Sequence, residues 1–319
     1  MLKYLARRLM LAVVTIFGVT LVIFVTMRVL PGDPLAMIYG EATGIYVLTD
    51  AELAAARASL GLDKPLPLQY LGWMADVARG DLGYSFWGDK PIMDTILRRG
   101  PITAEIALIA ILLAWLIGVP VGVVSAMQRE SGLDYLLRFL VTFFMAIPSF
   151  WLGMTMILFT VVVLNWRPSI TIEQLWDNPR ENILMVLGPS VAMGIGLSAI
   201  IARMTRTTVL EVLREDYVRT ARAKGLRESA MIIRHVLKNA MLPVITLSGM
   251  ALAGLLGGSV AVEKAFGFPG LGMALAQGAV ERDWMMVQNL TLLFAVTFVF
   301  INLAIDLLYA WIDPRIRYE

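Results

Sequence analysis

The sequence predicts an all-α integral membrane protein with six transmembrane helices. Three observations predict it. Of 319 residues, 58% are hydrophobic and 16% charged, whereas an average soluble domain is about a quarter charged. Mean hydropathy is +0.74. Six apolar stretches, at 9–29, 102–127, 136–164, 183–201, 244–262 and 286–311, are long enough to cross a hydrocarbon core, which takes about 20 helical residues. Cysteine is absent, which excludes disulfides, thiolate metal sites and thiol catalysis. The single histidine, His235, leaves little scope for imidazole chemistry, and no metal site is expected.

The first span follows Lys3, Arg7 and Arg8. It resembles a signal peptide, but the apolar run is too long and no small-residue cleavage site follows, so residues 1–30 read as a retained anchor. Pro31-Gly32-Asp33-Pro34 ends it in a turn. Residues 31–100 then read as a small extracytoplasmic helical cap. Thr49-Asp50-Ala51-Glu52 has the capping-box pattern before a helix at 53–60 closed by Gly61. A second short helix is expected at 66–79. Tyr70, Trp73, Tyr84, Phe86 and Trp87 either pack this cap on the membrane surface as an interfacial belt or form a platform for an outside partner.

Residues 101–319 supply five further spans and the connector 203–243. Spans two and three carry Pro120 and Pro148. Span five holds Gly249, Gly254, Gly257 and Gly258, small residues that permit close helix packing or leave room for a solute. Pro148, Gly254, Gly258 and Asn302 are the candidate translocation-path residues. Asp306 shares a helical face with Asn302. Its place near a helix end reads as structural and argues against a proton-coupled carrier, which needs acids nearer mid-membrane.

Charge sets the expected orientation. With the N-terminus, the loop after span two, the connector and the C-terminal tail on one side, that side has 16 of the 27 basic residues and the other has 11. The positive-inside rule then puts both termini in the cytoplasm.

The connector 203–243 carries nine of those basic residues and lies between spans four and five. Residues 205–214 extend span four. A short helix follows at about 216–224, with an acid at its start, bases in its last turn and Gly225 beyond its end. It presents Tyr217, Ala221 and Lys224 on one face with Thr220 nearby. Small residues flanked by Tyr and Arg suit insertion into a protein groove. Residues 230–241 are amphipathic, with Ile232, Ile233, Val236, Leu237, Ala240 and Met241 on one face, and fit a lipid surface. Pro243 marks the turn into span five. Nucleic-acid binding is not expected of a membrane-bound loop without a recognition fold.

The run Tyr217-Val218-Arg219-Thr220-Ala221-Arg222-Ala223-Lys224-Gly225-Leu226 resembles the coupling loop of bacterial ABC-importer permeases of the dipeptide, oligopeptide and nickel family. The general Glu-Ala-Ala-x-x-x-Gly signature appears as Thr220-Ala221-Arg222-x-x-Gly225, and its Leu-Pro as the more distant Leu242-Pro243. The resemblance extends to Arg28–Pro34, Leu60-Gly61-Leu62-Asp63-Lys64-Pro65, Arg79-Gly80-Asp81-Leu82-Gly83, Phe266-Gly267-Phe268-Pro269-Gly270-Leu271-Gly272 and Asp313-Pro314-Arg315-Ile316-Arg317. The long segment after span one is similar to the B-type dipeptide permease. The resemblance implies a type I importer permease in a bacterial inner membrane. It implies partnership with a second permease, two ATPase subunits and an extracytoplasmic solute-binding protein. Docking on an ATPase is then expected of residues Asp216 to Leu226, with Tyr217, Arg219, Ala221, Arg222 and Gly225 foremost.

The chain has no phosphate-cradling Gly-x-x-x-x-Gly-Lys-Ser/Thr loop, no His-Glu-x-x-His and no Gly-x-Ser-x-Gly elbow. No cofactor is expected in it, and ATP and Mg belong to partner subunits. Peptides are the expected solute class. Nickel chelates, glutathione and short glycans share the architecture. An ion-coupled secondary carrier would show an inverted repeat, and an intramembrane hydrolase would need paired acids or Ser/His groups at depth.

Overall fold

A computed structural model describes residues 2–29, 49–59, 61–86, 90–165, 172–258 and 260–312. The expected turn at Pro31–Pro34, Trp87 and the tail 313–319 lie outside them. Among the described residues there is no β-strand, only an isolated antiparallel bridge between Tyr84 and Pro91. In chain order the helices are α1 (Leu2–Val29), α2 (Asp50–Ser59), α3 (Leu66–Ala78), α4 (Ile92–Met127), α5 (Gly132–Ala146), α6 (Ser149–Val162) and α7 (Pro179–Val212). There follow α8 (Asp216–Ala223), α9 (Glu228–Met231), a π-helical turn (Ile232–Val236), α10 (Leu237–Gly258), α11 (Val260–Phe266), α12 (Leu271–Val280) and α13 (Trp284–Ile312).

Five helices are long and apolar enough to cross a membrane, and the sixth expected span falls on a sharply bent helix pair, which is either a broken span or a re-entrant loop. Helices α5 and α6 meet at 96°, so 136–164 is not one straight helix. Pro148 stands at the break. It has no N–H and it forces the residue before it out of helical geometry; Ile147 sits at φ −83, ψ 122. Three further expectations are corrected. Helix α4 starts ten residues before 102, at Ile92, and runs on through Pro101. Pro243 lies inside α10 rather than at a turn, and the π-helical turn just before α10 carries the chain on as one continuous span, Glu228–Gly257. Helix α12, ten mostly apolar residues opened by Gly270, was not anticipated.

The backbone divides into two compact units, 1–101 with 270–299, and 102–269 with 300–319. In the first, Thr49 and Glu52 form the expected reciprocal cap. The Thr49 N–H donates to Glu52 Oε2 at 2.8 Å, and the Glu52 N–H donates to Thr49 Oγ1 at 3.4 Å. The Thr49 backbone N–H and hydroxyl hold the Glu52 carboxyl below its ordinary range. Gly61 closes α2 at φ +66, with the Leu62 N–H donating to Arg57 O. Tyr70 and Trp73 of α3 are buried with Phe24 and Leu292, so these two aromatics are internal packing, while Tyr84 is 59% exposed. Arg28 ties α1 to this unit by donating to Gln69 Oε1 at 3.1 Å and Gln288 Oε1 at 3.0 Å.

In the second unit α7 is the central helix. Its contact with α4 is close because Gly118 and Gly122 face it. A Cβ at Gly122 would stand 2.5 Å from Ala202 O and 2.6 Å from Thr205 Cβ. Gly122→Val therefore forces two helix backbones apart, at an expected cost of about 1–3 kcal/mol. Gly254→Ala is expected to be neutral, since nothing lies within 4 Å of the Cβ it would add. Thermal unfolding in detergent checks both, and equal melting temperatures would contradict the close contact of the two helices.

Candidate functional site

The connector between α7 and α10 is the candidate site. Helix α7 runs on to Val212, as expected, and delivers the chain to α8. Asp216 occupies the first turn of α8 and Arg222 the last, each favourable for the helix dipole. Beyond the C-terminus the Gly225 N–H donates to Arg222 O at 3.0 Å and the Leu226 N–H to Ala221 O at 3.4 Å. Gly225 has φ +77. This is the paired closure that a left-handed residue after a helix makes possible.

The face of α8 turned into the chain is apolar. Val218 is fully buried and Ala221 is 8% exposed. They pack with Ala126 of α4, Val209 of α7, and Met231, Val236 and Ala240 from the following helices. Two expectations are corrected by this cluster. Ala221 does not share an outward face with Tyr217; it is part of the mount. The amphipathic stretch 230–241 turns most of its apolar face onto α8 and α7, with Ile232, Leu237 and Met241 packed against the cluster, and only Ile233 is largely exposed, at 66%. Amphipathicity states that a face needs cover, and in this connector the chain covers it itself.

Asp216, Tyr217, Arg219, Thr220, Arg222, Ala223, Lys224 and Gly225 are exposed, and Leu226 is half-buried. Tyr217 Oη accepts from Asn239 Nδ2 at 2.8 Å, which ties the outer side of α8 to α10. Arg219 pairs with Asp216 at 3.3 Å and Arg222 with Glu228 at 2.9 Å; such exposed pairs contribute little. The surface is therefore a short, well-anchored helix with a charged outer edge.

Behind it lies a buried ion pair that the sequence reading missed. Asp134, 1% exposed, receives Arg206 Nε at 3.0 Å and Nη2 at 2.8 Å. It also accepts from Ser125 Oγ at 2.6 Å and the Glu130 N–H at 3.1 Å. The local signal was Ser131-Gly132-Leu133-Asp134, since Ser131 caps α5 by accepting from the Asp134 N–H.

The candidate path residues are not brought together with this site. Pro148 is at the α5–α6 bend. Gly254 is in α10 with open space beside it, and the tight contact of that helix is at Gly249, where a Cβ would overlap Ile305. Gly258 ends α10. Asn302 and Asp306 are half-buried in α13, and neither is without a partner.

Residues 118–318 match the family described as binding-protein-dependent transport system inner membrane component, and residues 1–107 match its N-terminal companion. The chain is 38% identical over 342 residues to the dipeptide transport system permease protein DppB of Alkalihalophilus pseudofirmus, with both chains fully covered. It is 37% identical over 319 residues to the glutathione transport system permease protein GsiC of Pectobacterium atrosepticum, again with full coverage. An inward-facing structure of the MetNI methionine ABC transporter shares the fold at TM-score 0.58 and 22% identity, covering 71% of this chain and 100% of that one.

Proposed function

The chain belongs to this family of inner membrane transport components, the permease subunits of ABC transporters, and from that premise we propose that it forms half of the path of a peptide importer. The relatives named for dipeptides and for di/tripeptides support that solute class. The glutathione relatives keep glutathione, itself a small peptide, as the second reading. The importer would comprise a second permease, two ATPase subunits that hold ATP and Mg, and an extracytoplasmic solute-binding protein. Both termini and the connector would face the cytoplasm, in line with the excess of basic residues there.

The observation that carries the coupling role is α8 itself: a helix clamped beneath by Val218 and Ala221 while its outer edge stays exposed. Asp216, Tyr217, Arg219, Thr220, Arg222, Ala223 and Lys224 would meet the ATPase. Ala221 and Leu226 would serve from within as mount and closure. Closure of the ATPase pair would move α8 as a rigid body, and its packed cluster would pass the motion to α4, α7 and α10. The open side of Gly254 in α10 is in keeping with a surface left for solute or for the second permease.

Gly225→Val is expected to strain the left-handed turn by about 1–2 kcal/mol or more and to uncouple ATP hydrolysis from uptake in proteoliposomes containing the full importer. Gly225→Asn, which tolerates that backbone, is expected to retain uptake. Unchanged uptake in the Val variant would remove the coupling role. A peptide panel tested on the solute-binding partner separates the two solute readings, and copurification of ATPase chains in mild detergent separates both from an ion-coupled carrier.

A further inference from the structure

A cavity of about 250 Å³ lies among α4, α5 and α7, lined by Arg138, Arg203 and Arg206. Only Arg206 is neutralised, by Asp134. Among the described residues neither Arg138 nor Arg203 has a carboxylate partner; Arg138 lies 5.8 Å from the Tyr135 ring centroid. One pocket thus holds two uncompensated guanidinium groups, beside a third already paired.

The cavity lies near the ends of two of the helices that frame it. Arg138 is six residues into α5 and Val121 six residues before the end of α4, each about 9 Å from its helix terminus. Headgroup layers add roughly 5–7 Å to each side of the hydrocarbon core. The hydroxyls of Thr142 and Thr207 donate to Arg138 O and Arg203 O, which leaves their oxygens as acceptors. Farther along α5 the exposed surface is apolar, with Phe139 at 65%, Leu140 at 38% and Phe143 at 50% exposure.

We propose that this cavity binds the phosphodiester headgroup of an anionic phospholipid. The phosphate oxygens sit against Arg138 and Arg203. Headgroup hydroxyls, as in phosphatidylglycerol, donate to Thr142 and Thr207. The acyl chains follow the Phe139–Phe143 face. Free phosphate would use the same guanidinium groups but gain nothing from the aromatic face, and an acidic side chain of a neighbouring protein would need no lipid at all.

The test is native mass spectrometry of the full chain from mixed detergent–lipid micelles containing phosphatidylglycerol or phosphatidylcholine. Phosphatidylglycerol adducts are expected on the unaltered chain. R138Q/R203Q is expected to bind it about 30-fold more weakly, the factor corresponding to roughly 1 kcal/mol per basic residue near the surface. R227Q/R234Q, which removes two exposed charges elsewhere, is expected to leave binding unchanged. Size exclusion and melting temperature check that the variants remain folded, and R138K/R203K, which keeps the charge, is expected to restore most binding should the Gln pair be unstable. The proposal is overturned by equal retention of phosphatidylcholine, by equal loss in both Gln pairs, by unchanged binding in R138Q/R203Q, or by displacement of the lipid by inorganic phosphate. The first two would mean non-specific attraction, the third another site such as a protein contact, and the fourth a free-phosphate site.

Discussion

Arg206→Met is expected to destabilise the chain by about 3–5 kcal/mol, the usual cost of stranding one member of a buried ion pair. Asp134 is 1% exposed and takes both of its Arg206 hydrogen bonds in parallel. Without them a carboxylate stays buried, held only by Ser125, the Glu130 N–H and the α5 terminus. Adding Asp134→Asn should recover part of the loss, since no charge remains to be stranded; the amide oxygen can accept from the Glu130 N–H while the amide NH2 donates to the Ser125 hydroxyl, which then acts as acceptor. Unfolding of purified protein in detergent measures the single and double variants. Simple additivity of the two substitutions would show that the two groups are not coupled and that no stranded charge lies behind the loss.

Val218→Asp is the second large effect. Val218 has no exposed surface and lies at the centre of the cluster under α8. A carboxylate there would stand among the apolar side chains of this cluster, and burying a charge in such surroundings costs several kcal/mol. The helix should detach instead. Hydrogen exchange at 216–223 is expected to rise while α7 and α10 stay protected, and uptake should be lost although the outer edge of α8 is chemically intact. Protected amides at 216–223 together with lost uptake would point away from the mount and toward direct contact.

These two cases mark the limit of what the sequence shows. Whatever is settled within one or two turns was legible. The Thr49–Glu52 cap, the closures at Gly61 and Gly225 and the extension of α7 past 201 all follow from neighbouring residues. The six apolar stretches gave the architecture for the same reason, because hydropathy needs no partner. Asp134 and Arg206 are 72 positions apart, and no periodicity links them. Pro148 was visible, but a proline in a membrane helix is compatible with a mild kink or a full break, and only packing decides. The inward turn of 230–241 was lost because an amphipathic pattern looks the same against lipid or protein. For the candidate site, the helix and its cap were read correctly, while the assignment of Ala221 to the outside was not.

The break at Pro148 has a mechanical consequence. Neither leg reaches across a bilayer alone: α5 has 15 residues and α6 has 14, about 22 and 21 Å of helix. Were they tilted equally about their 96° bend, they would reach roughly 29 Å, close to the ~30 Å hydrocarbon thickness. A chevron of this kind changes height when its angle changes. Opening it by about ten degrees lengthens it by roughly 3 Å, two helical rises, so a modest rotation of one leg becomes a vertical stroke. A straight helix of the same length has no such gearing.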